Sequence, residues 1–273
     1  MRYKTQLNLN GRIPVKFVNS QLASRSMFLE GVRRKFDKSL QIDAAARNEF
    51  VEKIKDYDGV YSTEENEQIV VSLALMKDFD QLPKITAVAT VSPLSSSSIG
   101  RKSKESIAYG KSEIIVHGSL EEVFAYMWNF DSRIRAKPSD LEKTVVEIKS
   151  LHHMICYVCK KGTHKGFINL LPREGLQSFL WKRLDVDTIV LAATPTTHRN
   201  RLISEDRVRV EMPMIVEIKQ LPQSRIQFTY CHSLGMGSLV PNVIVDHYMK
   251  RNLQLTETVQ QYFQQLRPLE LLD

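Results

Sequence analysis

The feature that most constrains the fold is a series of short alternating segments between residues 112 and 231, followed by one long amphipathic helix. In one segment Val208, Val210 and Met212 alternate with charged residues, as in a strand with one buried face. Segment starts are about eight to twelve residues apart, which predicts an antiparallel meander. The predicted strands are 112–117, 144–149, 152–159, 167–171, 179–184, 188–193, 207–212, 215–219 and 225–231.

The last predicted element is a helix over residues 241–266, about 39 Å long at 1.5 Å per residue. Its apolar stripe consists of Val245, Tyr248, Leu255, Val259 and Phe263. Because an antiparallel sheet has a face to cover, we expect this helix to lie across it. A curved sheet closed by such a helix predicts a tunnel between them, and the alternative is a helix packed on a solid core.

The chain before the strands predicts helices and one loop. A helix over 43–56 is expected to start at Asp43, and one over 63–79 has the capping box Ser62 and Glu65. A further capping box, Ser119 with Glu122, opens a helix that precedes the meander. The serine-rich segment 92–105 predicts a mobile polar loop. The fold class is therefore α+β.

The two ends of the chain resemble each other. Gly11 and Pro14 precede an amphipathic segment whose apolar residues match, position by position, those after Gly237 and Pro241. Two unrelated amphipathic helices could share such a stripe, but the glycine and proline are not required by it. We therefore predict that residues 1–57 are a helical extension left from a preceding repeat, and that residues 58–273 form the main domain.

The positive charge is confined to the first forty residues. They hold nine Lys and Arg and two acids, a net +7, while the other 233 residues hold 29 bases and 29 acids. The main domain thus gives no indication of nucleic-acid binding. The basic residues 25–38 could contact an anionic membrane transiently, or form only a solvated face. No run of about 18 apolar residues occurs, and three cysteines fit a reducing compartment, so we expect a cytoplasmic protein, peripheral at membranes.

Several stretches together resemble the START domain, the steroidogenic acute regulatory-related lipid-transfer family, and in particular the tandem START-like repeats of algal and other protist proteins. The stretches are Tyr61-Ser62-Thr63-Glu64-Glu65, Gly110-Lys111, the segment 119–128, Arg173, Phe179, Trp181-Lys182-Arg183, Pro195-Thr196-Thr197-His198 and the segment 237–241. The resemblance covers about residues 62–273. It implies a helix-grip fold, of the START and Bet v-like type, that encloses one hydrophobic ligand, a sterol or a phospholipid.

The candidate ligand-binding residues follow from the predicted strands, the last helix and the resemblance. Arg209 and Glu211 lie opposite Val208 and Val210, so they could anchor a lipid head group or simply face solvent. Arg173 and Trp181 could line the mouth of the cavity or serve packing. The full set is Arg173, Trp181, His198, Arg209, Glu211, Phe228, Tyr230, Val245, Tyr248 and Leu255.

We predict a lipid-binding module, used for lipid transfer or sensing, that is not an enzyme and needs no cofactor or metal. Cys156 and Cys159 have zinc-like spacing, but positions three apart on a strand point to opposite faces. One alternative is an enzyme on the same scaffold, a cyclase or hydrolase of small hydrophobic compounds, using His198 or His232 with Glu211. Another is a degenerate START-like domain with a filled core that serves only interactions.

Overall fold

The computed structural model describes residues 39–82, 85–102, 107–165, 168–236 and 240–270 of the 273. The chain divides into two compact units, Met1–Ala44 and Ala45–Asp273, and the description below concerns the second. The basic residues 25–38 and most of the predicted repeat in 1–42 lie outside the described residues, as does Gly237.

Three helices precede or interrupt the sheet: α1 (Ser39–Lys55), α2 (Thr63–Asp80) and α3 (Leu120–Trp128). Both predicted capping boxes are confirmed, since Ser62 and Ser119 each accept from and donate to the glutamate three residues later. The start of α1 was predicted wrongly, because the helix continues four residues N-terminal to Asp43. The preceding Leu and Gln are good helix formers and extend the helix past that residue.

The strands are β1 (Ile85–Val88), β2 (Ser95–Gly100), β3 (Ile107–His117), β4 (Asp140–Ser150), β5 (His153–Lys160), β6 (Thr163–Lys165), β7 (Ile168–Leu170), β8 (Arg173–Asp185), β9 (Thr188–Pro195), β10 (Val208–Arg209), β11 (Met214–Leu221) and β12 (Arg225–Gly235). Among the described residues, β6 and β7 form a separate hairpin and the other ten strands form one sheet.

Nine strands of the sheet follow one another in the order β1-β2-β3-β12-β11-β9-β8-β5-β4, and neighbours along this path are antiparallel. The tenth strand, β10, pairs with β8 in parallel. The antiparallel sheet predicted from the meander is confirmed.

Two segments differ from the prediction. The segment 92–105 is not a loop throughout, because β2 pairs with β3 and the hydroxyls of Ser97 and Ser112 lie 2.6 Å apart. The strand was not predicted because a run of serines lacks the alternation of apolar and polar residues that indicates a half-buried strand. The strand predicted over 207–212 is only β10, two residues long. The N–H of Val210 still donates to the carbonyl of Glu174 at 2.9 Å, and Pro213, which has no N–H, comes three residues later.

The predicted C-terminal helix is present, but a turn at Gln254 divides it into α4 (Asn242–Leu253) and α5 (Leu255–Glu270). The break lies at Gln254, where the hydroxyl of Thr256 donates to the carbonyl of Leu253 at 3.0 Å. A side-chain donor at that carbonyl competes with the helical hydrogen bond, which favours a bend.

Helices cover both faces of the sheet, and not one face as expected. On one side α2 packs Ile69 and Phe79 against residues such as Leu180. On the other side α3, α4 and α5 pack against the neighbouring strand positions, among them Phe179. As a result every residue of 189–193 in β9 is fully buried, as is usual for a strand with two covered faces.

Candidate functional site

A cavity of about 400 Å³ lies between the sheet and the helices α3, α4 and α5. Its volume falls within the range of about 300–1,000 Å³ that small-molecule sites occupy. Its lining residues are Tyr126, Met127, Phe130, Ile134, Arg135, Ala136, Lys137, Asp140, Lys143, Val158, Lys160, Gln177, Phe179, Met212, Met214, Tyr230, His232, Asn252, Leu255 and Thr258. Ala136 and Lys137 are exposed, so the cavity reaches the surface at this end.

Strand geometry explains most of the lining. Three strands, β5, β8 and β12, each contribute a pair of residues two positions apart, which places both on one face. A fourth pair consists of the first residue of β11 and the residue two positions before it. The pairs are Val158 with Lys160, Gln177 with Phe179, Met212 with Met214, and Tyr230 with His232. Most of these side chains are apolar, and the methionines can adapt to irregular ligand shapes. This wall suits a hydrophobic molecule.

The end near the surface is cationic. Arg135 donates through Nη1 to the carbonyl of Met127, and lies 3.5 Å from those of Tyr126 and Asn129, at the C-terminus of α3. The partial negative charge of that helix end partly balances the guanidinium. Lys143 donates to the carbonyl of Arg135 at 3.1 Å and lies 4.8 Å from the ring centre of Phe130.

Lys143 is poorly compensated. Burial and then the neighbouring Arg135 lower its pKa to about 7. Asp140 lies close by, but it already accepts from the ammonium of Lys160 and from the backbone N–H of Lys137. The ammonium of Lys143 therefore donates to a backbone oxygen, and no carboxylate among the described residues forms an ion pair with it.

A bulge in β4 brings Asp140 and Lys143 to the same cavity. Residues three apart on a regular strand point to opposite faces. Here the pairing with β5 shifts register between Asp140 and Glu142, which inserts one extra residue. With this extra residue, the side chain of Lys143 lies on the same face of β4 as that of Asp140.

His232 is the buried imidazole of the cavity. Burial lowers its pKa to about 4, so the ring is neutral at physiological pH. Its Nε2 lies 3.3 Å from the amide nitrogen of Asn252. No carboxylate among the described residues forms a hydrogen bond or ion pair with this ring, so it lacks the partner that a catalytic base would use.

Of the predicted ligand-binding residues, Tyr230 and Leu255 line the cavity. Phe228 and Val245 are fully buried in the packed core next to it. Trp181 is also fully buried and donates through Nε1 to the carbonyl of Leu151 at 2.9 Å. These three contribute to the core that supports the cavity and not to its lining.

His198, Arg209 and Glu211 lie at a separate concavity lined also by Leu202 and Ile203. His198 pairs with Glu147 at 3.3 Å. The sequence therefore brings His198 and Glu211 to one surface but places His232 elsewhere.

Arg209 neither faces solvent nor lines the cavity. It donates to the carboxylate of Glu174 at 2.9 Å, and this carboxylate also accepts from the hydroxyl of Tyr157 at 2.7 Å. Arg173, at the start of β8, donates to the carbonyl of Leu171, and Tyr248 packs against the edge of the core. Neither of the last two lines the cavity.

The cations of the cavity, Arg135, Lys137 and Lys143, were not among the predicted residues. The available signal was the basic cluster that directly follows the capped helix α3. The bulge in β4 removed the alternation that would have shown Lys143 to be inward-facing.

Cys156, Cys159 and Cys231 are buried free thiols. No cluster of His, Cys, Asp and Glu suited to a metal occurs among the described residues. Within the described ranges, none of the helices has the length and apolar character needed to span a bilayer.

Neither a protein-family model nor a curated protein matches the chain. Solved structures do. Human StAR-related lipid transfer protein 5 is 17% identical, with a TM-score of 0.58 over 74% of this chain and 99% of that one. Human STARD10 is 10% identical, with a TM-score of 0.58 over 76% and 81% of the two chains. The lipid transfer and protein localization domain of human StarD13 is 10% identical, with a TM-score of 0.54 over 75% and 98%. The chain therefore has the helix-grip fold of the START domains.

Proposed function

We propose that this protein binds one lipid, a sterol or a phospholipid class of molecule, inside the cavity between its sheet and its C-terminal helices, for lipid transfer or sensing. The observation that carries the proposal is the apolar wall formed by Met212, Met214 and Phe179 on a cavity of about 400 Å³. A space lined in this way favours a hydrophobic guest over water. The structural similarity to a protein named for lipid transfer supports the same function.

Binding without catalysis is the better reading of the polar groups. An enzyme of this fold would need converging titratable groups at one place. His232 is neutral and faces the amide of Asn252, while His198 and Glu211 lie at another concavity. The cyclase or hydrolase alternative would therefore have to work without an activated base in the cavity.

We propose that the ligand enters the cavity at the turn between α4 and α5. Asn252, Leu255 and Thr258 flank Gln254 and line the cavity. A helix pair joined at such a break can shift one half without unfolding the other. We propose that loosening of this segment admits the ligand.

The main domain, residues 58–273, is proposed as the lipid-binding unit, with residues 1–57 as an extension. The basic stretch 25–38 would hold the protein transiently at anionic membranes. Sedimentation of the full chain with phosphatidylserine vesicles tests this contact, and equal binding to neutral vesicles would contradict it.

The binding proposal is tested by lipid extraction and by uptake. Protein from its own host is extracted with organic solvent and examined by mass spectrometry, and fluorescent sterol and phospholipid are titrated into the purified chain. We expect one bound lipid per chain. If no lipid is extracted and neither probe is taken up, the binding proposal is contradicted.

Cavity-filling variants locate the site. Leu255→Trp and Met212→Trp each place a larger side chain in the cavity, and we expect uptake to fall about tenfold or more. Val243→Trp on α4 is the control, because Val243 is 73% exposed. Two filling variants are used so that a folding defect in one does not decide the result. Unchanged uptake in both, with native circular dichroism, would place the ligand elsewhere.

A further inference from the structure

The charges that line the cavity do not balance. Four cations line it, Arg135, Lys137, Lys143 and Lys160, against the single carboxylate of Asp140. Lys160 pairs with that carboxylate. Three basic side chains are therefore left without a carboxylate at the end where the cavity reaches the surface. Lys143 is about half protonated at pH 7, and His232 adds no charge because its ring is neutral.

These three cations have donors to spare. Only Nη1 of Arg135 donates to the end of α3, so Nε and Nη2 have no acceptor among the described residues. Lys143 uses one of its three N–H groups, on the carbonyl of Arg135. Within the described part of the chain, none of the side-chain cations of Arg135, Lys137 and Lys143 forms an ion pair, and the one carboxylate of the cavity, that of Asp140, pairs with Lys160. A guest with oxygen acceptors would find several directed donors.

The arrangement is costly without an anion. Like charges repel, and partial burial removes the water that would screen them. The lowered pKa of Lys143 reflects this cost. A neutral guest would remove more water from Arg135 and Lys143 without replacing it, whereas an anionic guest would supply the missing charge.

We propose that the cavity selects lipids with an anionic head group, a carboxylate or a phosphate monoester, held by Arg135, Lys137 and Lys143 at the mouth. The hydrocarbon tail lies inward, against Phe179 and Met214. The proposal rests on the proposed lipid-binding function and adds the chemical class of the ligand. It also gives the ligand an orientation, with its head toward the surface.

The probes test the head group apart from the bulk of a natural lipid. A single medium-length chain with a compact head group is small enough for a cavity of about 400 Å³. Laurate, dodecyl phosphate and dodecanol share one tail and differ only in the head group.

The test is calorimetric titration of the full-length protein with these three probes, each below its aggregation concentration. We expect both anions to bind about tenfold or more tightly than dodecanol, since hydrogen bonds between charged groups are stronger than those to a neutral hydroxyl. Tighter binding of dodecyl phosphate would point to a phosphate monoester as the natural head group, and tighter binding of laurate to a fatty acid.

Variants of Lys143 test whether these cations are responsible. Lys143→Met should reduce the preference for anions about tenfold while dodecanol binding stays constant, and Lys143→Arg should keep the preference. Lys219→Met removes an exposed charge from β11 that does not line the cavity, and should change nothing.

The possible results separate the two proposals. Binding of dodecanol as tight as that of the anions, or an unchanged preference in the folded Lys143→Met variant, would overturn the head-group assignment and leave lipid binding intact. Binding of none of the probes, nor of the sterol and phospholipid, would overturn both. Native circular dichroism of each variant is required before its titration is interpreted.

Discussion

Gly110 lies so close to Met249 that a Cβ atom on the glycine would stand 2.4 Å from the Met249 sulfur. Gly110 belongs to β3 and Met249 to α4, so helix and strand are in direct contact here. Met249 is fully buried, and the same Cβ atom would stand 3.0 Å from Cδ2 of Leu253, one turn further along α4.

We expect Gly110→Ala to destabilise the protein by about 1–3 kcal/mol, because the new methyl group must push Met249 out of its packing. Urea unfolding followed by circular dichroism measures this. Gly235→Ala on β12 is the control, since its Cβ would meet only Ile107 at an ordinary 3.5 Å. Equal effects of the two substitutions would show that helix α4 does not approach β3 in this way.

The second prediction concerns the buried pair of Arg209 and Glu174. Glu174 is 2% exposed, so removing the cation leaves a buried charge without its partner. We expect Arg209→Met to cost about 3–5 kcal/mol of unfolding free energy. Lys53→Met, which breaks an exposed pair with Glu49, should change stability by less than about 0.5 kcal/mol. A loss below about 0.5 kcal/mol for Arg209→Met would show that Arg209 and Glu174 are hydrated in solution and do not form this buried pair.

The third prediction is a loss of stability in mild acid that depends on His153. Its Nδ1 lies 2.7 Å from Glu65 and its Nε2 2.8 Å from Ser178. Burial lowers the pKa of His153, with Glu65 opposing and Lys149 and His152 adding to the shift. The unfolded chain therefore binds the proton first, so stability falls as the pH drops below about 6.5.

We expect His153→Gln to weaken this dependence of the unfolding free energy between pH 7 and pH 5. Urea titrations at several pH values measure it. His247→Gln is the control, since that imidazole is exposed on α4. An unchanged slope in His153→Gln would assign the acid sensitivity to other groups.

The fourth prediction concerns Lys143 in the absence of ligand. Burial and the cations Arg135, Lys160 and Lys137 lower its pKa to about 7, while Asp140 opposes them. The unfolded state holds the Lys143 proton up to about pH 10.4, so stability rises as the pH increases through that interval. The loss of stability that the charged Lys143 causes is complete below about pH 7, its pKa in the folded protein.

We expect Lys143→Met to stabilise the empty protein at pH 6, on the order of 2 kcal/mol after allowance for water in the cavity. The gain should shrink as the pH rises toward 9. Thermal unfolding from pH 6 to 9 measures it, with Lys219→Met as the control for removal of an exposed charge. A destabilised Lys143→Met at every pH would mean that the lysine is satisfied by the protein.

Local signals in the sequence predicted most of the fold. The capping boxes at Ser62 and Ser119 could be read directly, because a serine and a glutamate three residues apart satisfy each other within one turn. Phe228 and Tyr230, both named among the predicted ligand-binding residues, also lie on the same face of β12. Such features need only neighbours along the chain.

The cavity was less predictable because it depends on pairings between distant residues. The bulge that turns Lys143 inward exists only in the register of β4 against β5. The side-chain position of Arg209 depends on its hydrogen bond to Glu174, 35 residues away in the sequence. The break at Gln254 depends on which acceptor the Thr256 hydroxyl chooses. Periodicity cannot decide any of these.

The placement of α2 on the outer side of the sheet has a consequence for how the protein could release a guest. Ile69 and Phe79 pack against the central strands on the face opposite the cavity, so these strands stay supported whatever the helices on the cavity side do. A guest could then leave or enter through movement of those helices alone, without any change in the sheet.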